Sequence, residues 1–421
     1  MKILHVTPHL GGGVGKGHAA LRTALAGSVE QTYLLLEAPL DRRYADIIRA
    51  CGGEVRFAET LDDVARLAQE HDIVQFEFWN HPRLFECLAR TDFPAIRSAF
   101  WAHVSGLFTP VIPPGLIAEA GRFVFSTEAS LTIPWLAEMP NARIAAIRSG
   151  FGFPPRLPER AVDGLPETAY LGTVDFVKMN PGFFEVVDAL NMNALVSVWG
   201  ECSTPVIARA LAMDNPQRIR FRGQTATPAA ALSDAEIFFY PLQPHHYGTA
   251  ENALVEAMSL GLVPVVLNNP AEAAIVQDGE TGLIGETIDH CVELLQSLLT
   301  SVSLRDRLSR NAAAAMAATR TPLRSAAAFT ELWQSLLTEA PRRPDFASAI
   351  GETPGDWYTA TRRLPGTDWT PVIEPDAPTS KGTFAHFEYV FPADRSLARL
   401  RAASIAPQSN EMPHFMRAVA I

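Results

Sequence analysis

Cysteine is scarce in this sequence of 421 residues: four are present, Cys51, Cys87, Cys202 and Cys291, widely scattered and without metal-ligand spacing. That scattering predicts reduced thiols in a cytoplasmic protein. No stretch approaches the roughly 18 consecutive apolar residues that a membrane-spanning helix needs. The opening MKILHVT is too short for the apolar core of a signal peptide and runs straight into glycines. Positive charge is also short. With 35 Lys and Arg against 46 Asp and Glu, the net charge of −11 argues against nucleic acid or an anionic membrane as the main partner. Peripheral membrane contact stays open, with nothing in the sequence to support it.

Several motifs are missing as well. A phosphate loop fails in LGGGVGKG, because Leu10 stands five residues before Gly15 and Gly17 takes the place of the required Ser or Thr after Lys16. No G-x-G-x-x-G frame fits either, since Gly13 and Gly15 lead to His18. This failure makes a dehydrogenase a poor reading. No Asp-x-Asp pair is present, so no metal site is expected.

What the chain does have is apolar substance, 48% hydrophobic residues against 19% charged, which is globular and well buried. Its length predicts two or three domains. From the start to about residue 152, the short apolar runs ILHVT, TYLLLE, VRFAE, IVQFEFW, IRSAFW and RFVFST are each followed by a helix-like segment, among them HAALRTALAG, RYADIIRACG and LDDVARLAQE. Strands alternating with short helices imply right-handed crossovers and a parallel, doubly wound sheet. A proline-rich break, Pro154 to Pro166, follows. The alternation then restarts with TAYLGTV, ALVSVWG, RIRFRG, EIFFYPL and VPVVL. The expected architecture is therefore α/β: two facing, doubly wound Rossmann-like domains, 1–155 and 156–340. Residues 341–421 are proline-rich yet carry Trp357, Tyr358, Trp369, Phe384, Phe387, Tyr389, Phe391 and Phe415. So many aromatics predict an irregular extension packed on the body, with Ser380 to Pro392 its one strand-like piece.

The stretch from Tyr247 to Leu283, YGTAENALVEAMSLGLVPVVLNNPAEAAIVQDGETGL, is the most informative. Gly248 and Thr249 form a small-residue turn that can cap a helix. The helix stops at Gly261, and VPVVL reads as a strand covered on both faces. Unpaired N–H groups at such a helix start can receive a diphosphate. Glu256, two turns on, could reach sugar or ribose hydroxyls. Elsewhere, the glycines after the first strand either approach a ligand closely or make a tight turn. His103 follows IRSAFWA at a strand's carboxyl end, where it can act as acid, base or hydrogen-bond donor, or simply as a loop residue. Trp79 and His81 end another strand and suit sugar binding. Lys178 follows YLGTV, placed for a diphosphate contact, although a lone lysine is ordinarily solvated. His245 and His246 are adjacent, so their side chains diverge.

These motifs resemble the family-4 retaining glycosyltransferases, which have the glycosyltransferase-B fold. The likeness covers roughly residues 1 to 340. The family has a Glu-x7-Glu element, a Gly-x-Pro-Val-Val strand and a glycine-bearing turn. This sequence supplies Glu256, then Val263 to Val266, then Glu272, Ile275, Asp278, Gly279, Thr281 and Gly282. The resemblance implies that Glu256 bonds the nucleotide ribose and that Gly248, Thr249, Glu251, Asn252 and Ala253 surround the diphosphate or donor sugar. It also implies that Lys178 binds phosphate, that Gly12 and Gly13 lie across the donor phosphates, and that His103 stands near the transferred sugar. The catalytic set is then His103, Lys178 and Glu256, with Trp79, His81, Trp101 and His103 on the acceptor side. No cofactor is implied beyond the donor substrate, a nucleoside-diphosphate sugar. The partner is a glycan, lipid-linked or small-molecule acceptor, in the setting of polysaccharide or glycan assembly.

Two departures stand out. Gly248 occupies the place of the family's first glutamate, and Thr173 the place where an arginine commonly accompanies the lysine. Glu251 is no simple replacement, because five residues on a helix turn by about 500° and aim it away from Glu256. The departures encourage one alternative, a catalytically lapsed sugar- or nucleotide-binding relative; a nucleotide-sugar epimerase, which uses the same fold, is the other.

Overall fold

The computed structural model describes residues 1–38, 41–140, 143–150, 153, 165–248, 252–363, 369–371, 373, 379 and 381–404. Seven parallel strands form the first sheet: β1 (Lys2–Thr7), β2 (Glu30–Leu35), β3 (Glu54–Phe57), β4 (Ile73–Phe78), β5 (Ser98–Ala102), β6 (Arg122–Phe125) and β7 (Ile144–Ala146), in the order β3-β2-β1-β4-β5-β6-β7. Six parallel strands form the second: β8 (Glu167–Leu171), β9 (Val196–Trp199), β10 (Ile219–Gly223), β11 (Ala235–Tyr240), β12 (Val263–Leu267) and β13 (Leu283–Gly285), in the order β10-β9-β8-β11-β12-β13. Both are doubly wound, as the alternation of strands and helices predicts. β7 and β13, three residues each, are too short to leave a periodic signal.

Helices on both faces explain why the central strands read as unbroken apolar runs. All six residues of β4 and all five of β12 are buried. Local chemistry fixes where helices begin. Thr60 and Asp63 form a reciprocal capping box at the helix Leu61–Glu70. His81 takes the Arg83 N–H on its Nδ1 at the start of Pro82–Arg90.

In both sheets the order reverses beside the first strand, at β1/β4 and β8/β11. An open α/β sheet leaves a crevice beyond the carboxyl ends of its strands at such a switch point. Here the two crevices face each other, because the glycine loop after β1 meets the start of the helix Asn252–Ser259. A Cβ on Gly13 would lie 2.6 Å from Asn252 Nδ2. Lys16 and Glu256, one from each sheet's helices, form a second bridge as an ion pair.

The helix Pro322–Leu337, inside the range 156–340, packs against the first sheet. Phe329 and Trp333 are fully buried there with Ile3, Ala99 and Trp101. Burying each of these rings stabilises the return by on the order of 2–3 kcal/mol. Trp333 Nε1 also donates to Gln75 Oε1 at 2.9 Å. The extension packs on the first domain's outer side, with Phe346, Trp357, Phe384, Phe387 and Leu397 inside its core.

One expected strand is a helix instead. Phe384–Val390, within the stretch from Ser380 to Pro392, is helical, with the Thr383 side chain accepting the His386 N–H. Buried Phe384 and Phe387 stand at a spacing of three, so the cap and one apolar helical face outweigh the strand preference of the aromatics.

Candidate active site

A cavity of about 420 Å³ lies between the switch points. The first sheet supplies Gly13, Val14, Gly17, Trp79, Trp101 and His103; the second supplies Gly172, Thr173, Lys178, Tyr240, Gly248, Asn252 and Ala253. Most of these stand at or just beyond a strand's carboxyl end or in the first turns of a helix. A neighbouring cavity of about 640 Å³ includes Gly12, Arg43, Tyr44, Trp199, Glu201, Gln224 and Thr225. The two cavities share Gly172, Thr173 and Lys381.

His103 belongs to a buried polar network centred on Glu77, a β4 residue with no exposure. The His103 Nε2–H donates to Glu77 Oε2 at 2.9 Å, and His18 Nε2 lies 3.0 Å from the same oxygen. His5 Nδ1–H donates to Oε1 at 3.1 Å, beside Gln75 Nε2 at 2.9 Å. Gln31 Nε2 donates to His5 Nε2 at 2.9 Å, and Arg22 Nη1 donates to Gln31 Oε1 at 3.2 Å. Burial alone would raise the Glu77 carboxyl, but His18, His103 and His5 outweigh it and hold the group well below 4.5. Burial lowers the imidazole of His103, with Glu77 opposing, so the ring is neutral near pH 7. Its Nε2 proton is held by Glu77, which leaves Nδ1 as an acceptor. Burial likewise takes His5 to about 4.

His81, expected on the acceptor side, does not line this cavity. It is buried, caps its helix through Nδ1, and places Nε2 3.2 Å from Glu37 Oε1. Trp79, itself on the cavity wall, is in edge contact with His81 and His9. Trp101 lines the cavity but is mainly core, tilted against His103 and edge-on to Phe329.

Among the described residues, two groups have metal-ligand separations, His5–His18–Glu77 and His9–Glu37–His81. Their hydrogen bonds describe another arrangement. His5 uses both ring nitrogens within the network. His9 and His81 each accept a backbone N–H on Nδ1, which puts the proton on Nε2, the reverse of the tautomer that a metal at Nε2 needs.

Gly248 is held from behind. Its N–H donates to His246 Nδ1 at 2.9 Å, and His246 Nε2 lies 2.8 Å from buried Glu272 Oε1. Thr249 and Glu251 lie outside the described residues. Glu256 is 2% exposed, behind the cavity wall rather than on it, and paired with Lys16. The sequence reading gave Lys16 no role beyond a failed motif. It also missed Glu77, Trp199, Tyr44 and Lys381. Trp199 looks like an ordinary strand-end aromatic and Tyr44 like an ordinary helix residue, and nothing local links Lys381 to a cleft some 200 residues away in sequence.

The architecture defines a two-domain glycosyltransferase-B fold. Residues 159–315 match the family model described as "Glycosyl transferases group 1". No curated protein matches the chain significantly. Among solved structures, Alr3699/HepE from Anabaena, in complex with UDP and glucose, is 13% identical with a TM-score of 0.67, over 80% of this chain and 100% of that one. A glycosyltransferase from Rickettsia africae ESF-5 is 10% identical with a TM-score of 0.65, over 80% and 99%. The lipopolysaccharide outer core galactosyltransferase WaaB is 13% identical with a TM-score of 0.61, over 80% and 100%. No helix among the described residues is long and apolar enough to cross a membrane.

Proposed function

We propose that the protein transfers a hexose from a nucleoside-diphosphate sugar to an acceptor hydroxyl with retention, in polysaccharide or glycan assembly. The observation that carries this reading is the pair of joined cavities at the facing switch points, with Lys178 and neutral His103 on the walls of the smaller one. Each volume lies in the usual range for small-molecule sites, about 300–1,000 Å³. Trp199 and Tyr44 offer ring faces, and Gln224 an amide, for a nucleobase and ribose in the larger cavity. The sugar then occupies the smaller cavity beside His103, and the acceptor enters past Trp79.

As the glycosidic bond breaks, negative charge grows on the diphosphate. The Lys178 ammonium and backbone N–H groups around Gly13 and Asn252 meet that charge without reorganising. His103 Nδ1 accepts a hydrogen bond from a sugar or acceptor hydroxyl, with Glu77 holding the tautomer. The acceptor oxygen attacks from the face that the diphosphate leaves, so configuration is kept and no protein nucleophile is needed. Closure of the two sheets excludes the water that would otherwise hydrolyse the donor.

The UDP and glucose of the Anabaena structure make UDP-sugars the first donors to test. UDP, GDP or one of their sugars at millimolar concentration should raise Tm; no shift with any of them contradicts the proposal. Lys178→Ala should lower kcat about 10²–10³-fold, the usual effect of removing one transition-state donor. Unchanged kinetics would remove Lys178 from the site. The burial of Glu256 against Lys16, together with Gly248, favours one second reading, a lapsed relative that binds nucleotide without turnover. Product analysis separates the two.

A further inference from the structure

We propose that Lys381, carried by the C-terminal extension, is a phosphate-binding residue of the donor site and adds a cation to Lys178 where the two cavities meet. The inference rests on the nucleoside-diphosphate-sugar reading above and adds to it a residue from outside the two sheets. The first observation is positional. Lys381, Gly172 and Thr173 are the residues common to both cavities, so they mark the junction between them. A nucleoside-diphosphate sugar that spans both cavities has its nucleoside at one end, its sugar at the other and its diphosphate in the middle. The middle of the ligand therefore falls at Lys381. Lys178 lines the sugar-side cavity, where it faces the phosphate next to the breaking bond.

The second observation is that the backbone of Lys381 is held in an uncommon conformation. Its φ is +67° and that of Gly382 is +70°. A lysine in the left-handed region persists only where its surroundings enforce it, and such residues cluster at ligand sites. The enforcement is visible on both sides. Gly382 N–H donates to His386 Nδ1 at 3.0 Å, and Arg362 Nη2 donates to Gly382 O at 2.9 Å. Gly382 also lies so close to Asn80 that a Cβ there would meet Asn80 O at 2.4 Å. Asn80 follows Trp79 at the end of β4, so the hook is fastened to the first sheet's switch point. The Lys381 ammonium lies over the ring of Tyr247, another wall residue of the sugar-side cavity, at 5.8 Å from its centroid. Tyr247 precedes Gly248, so the extension reaches the loop that the second sheet offers to the ligand.

The third observation is one of charge. Thr173 stands at the junction with a hydroxyl only, and Gly172 beside it offers no side chain. A diphosphate carries more negative charge than one ammonium offsets. The solved glycosyltransferases above align over 80% of this chain and 99–100% of their own lengths, and the remaining fifth matches the 81 residues of 341–421 in size.

The test uses the full chain and measures equilibrium binding of UDP, GDP and ADP and of the matching free nucleosides, which lack phosphate. Lys381→Ala and Lys381→Gly both remove the ammonium, and glycine does so while tolerating the positive φ. Tyr389→Ala, at an exposed extension position, serves as the control. Expected is a tenfold or greater loss of affinity for the preferred diphosphate in both Lys381 variants, with Tm and nucleoside affinity unchanged and with Lys381→Arg restoring most of the loss. Undiminished diphosphate affinity in both variants, with Lys178→Ala impaired, overturns the role of Lys381 and leaves the donor reading standing. An equal loss for nucleoside and diphosphate overturns it too, because the hook would then only shape the wall. If the wild-type protein binds none of the three diphosphates, the donor reading itself falls, and this proposal with it.

Discussion

His103 illustrates how far a single residue's chemistry depends on what stands behind it. At the end of an apolar strand it reads equally well as a reactive group or a loop residue. Its burial, its bond to Glu77 and its place on the cavity wall favour the first reading. Glu77 lies in the middle of the run IVQFEFW, where the sequence offers only a charged interruption of a strand. Its histidine partners come from β1, the helix Gly12–Ala24 and the residue after β5, so no local pattern could have revealed them. Glu77→Gln keeps the shape but removes the charge and turns one of the two acceptor oxygens into a donor, so it cannot serve His5, His18 and His103 together. Turnover should fall about tenfold or more, as losing an orienting partner typically does. Because Glu77 raises the His103 pKa against burial, the acid limb of the pH–rate profile should also move to lower pH. A profile that stays in place would show that His103 does not set that limb. His81 tells the opposite story: a strand-end histidine beside a tryptophan suits sugar binding, yet its ring is spent on a helix cap and on Glu37.

At the scale of elements, the long alternating runs were legible because each strand buried on both faces leaves a continuous apolar stretch. β7 and β13 were not, since three residues carry no period. The helix Phe384–Val390 was misread because its aromatics suit either element, and the Thr383 cap settles the matter locally. The glycine loop was legible as a place of close approach, though not its partner. Gly15 shows the constraint most sharply: a Cβ there would lie 1.9 Å from Leu10 O, which is backbone and cannot swing aside. Replacing a helical glycine by alanine ordinarily stabilises by about 1 kcal/mol. Here the sign should reverse, with Gly15→Ala costing on the order of 1–3 kcal/mol through overpacking and displacing Gly12 and Gly13. A lower Tm together with weaker nucleotide binding is expected; a raised Tm would contradict the contact.

For the molecule as a whole, His5 in the first sheet and His386 in the extension shape the response to acid. Burial holds His5 at about 4, and His386, in the extension, at about 3. Between the unfolded value near 6.5 and these folded values, the unfolded chain binds protons that the folded chain refuses, so stability falls as pH falls. His5 alone accounts for on the order of 3 kcal/mol across that window. Glu77, held well below 4.5, adds to the loss under more acidic conditions, since its stabilisation disappears as pH drops through its folded value. Tm should therefore decline steeply from pH 6.5 to 4, and a flat Tm over that range would contradict the buried network. His386 also ties the extension to the body, because it meets His81 edge-on at 4.6 Å and anchors the Lys381 hook.

The most direct measurement is a crystal structure of the full chain soaked with UDP, or with whichever nucleoside diphosphate raises Tm most. The account predicts the diphosphate at the junction of the two cavities, within hydrogen-bond reach of Lys178 Nζ and between the Gly13 loop and Thr173. A nucleotide bound elsewhere, or with its phosphates pointing into solvent away from Lys178, would contradict it.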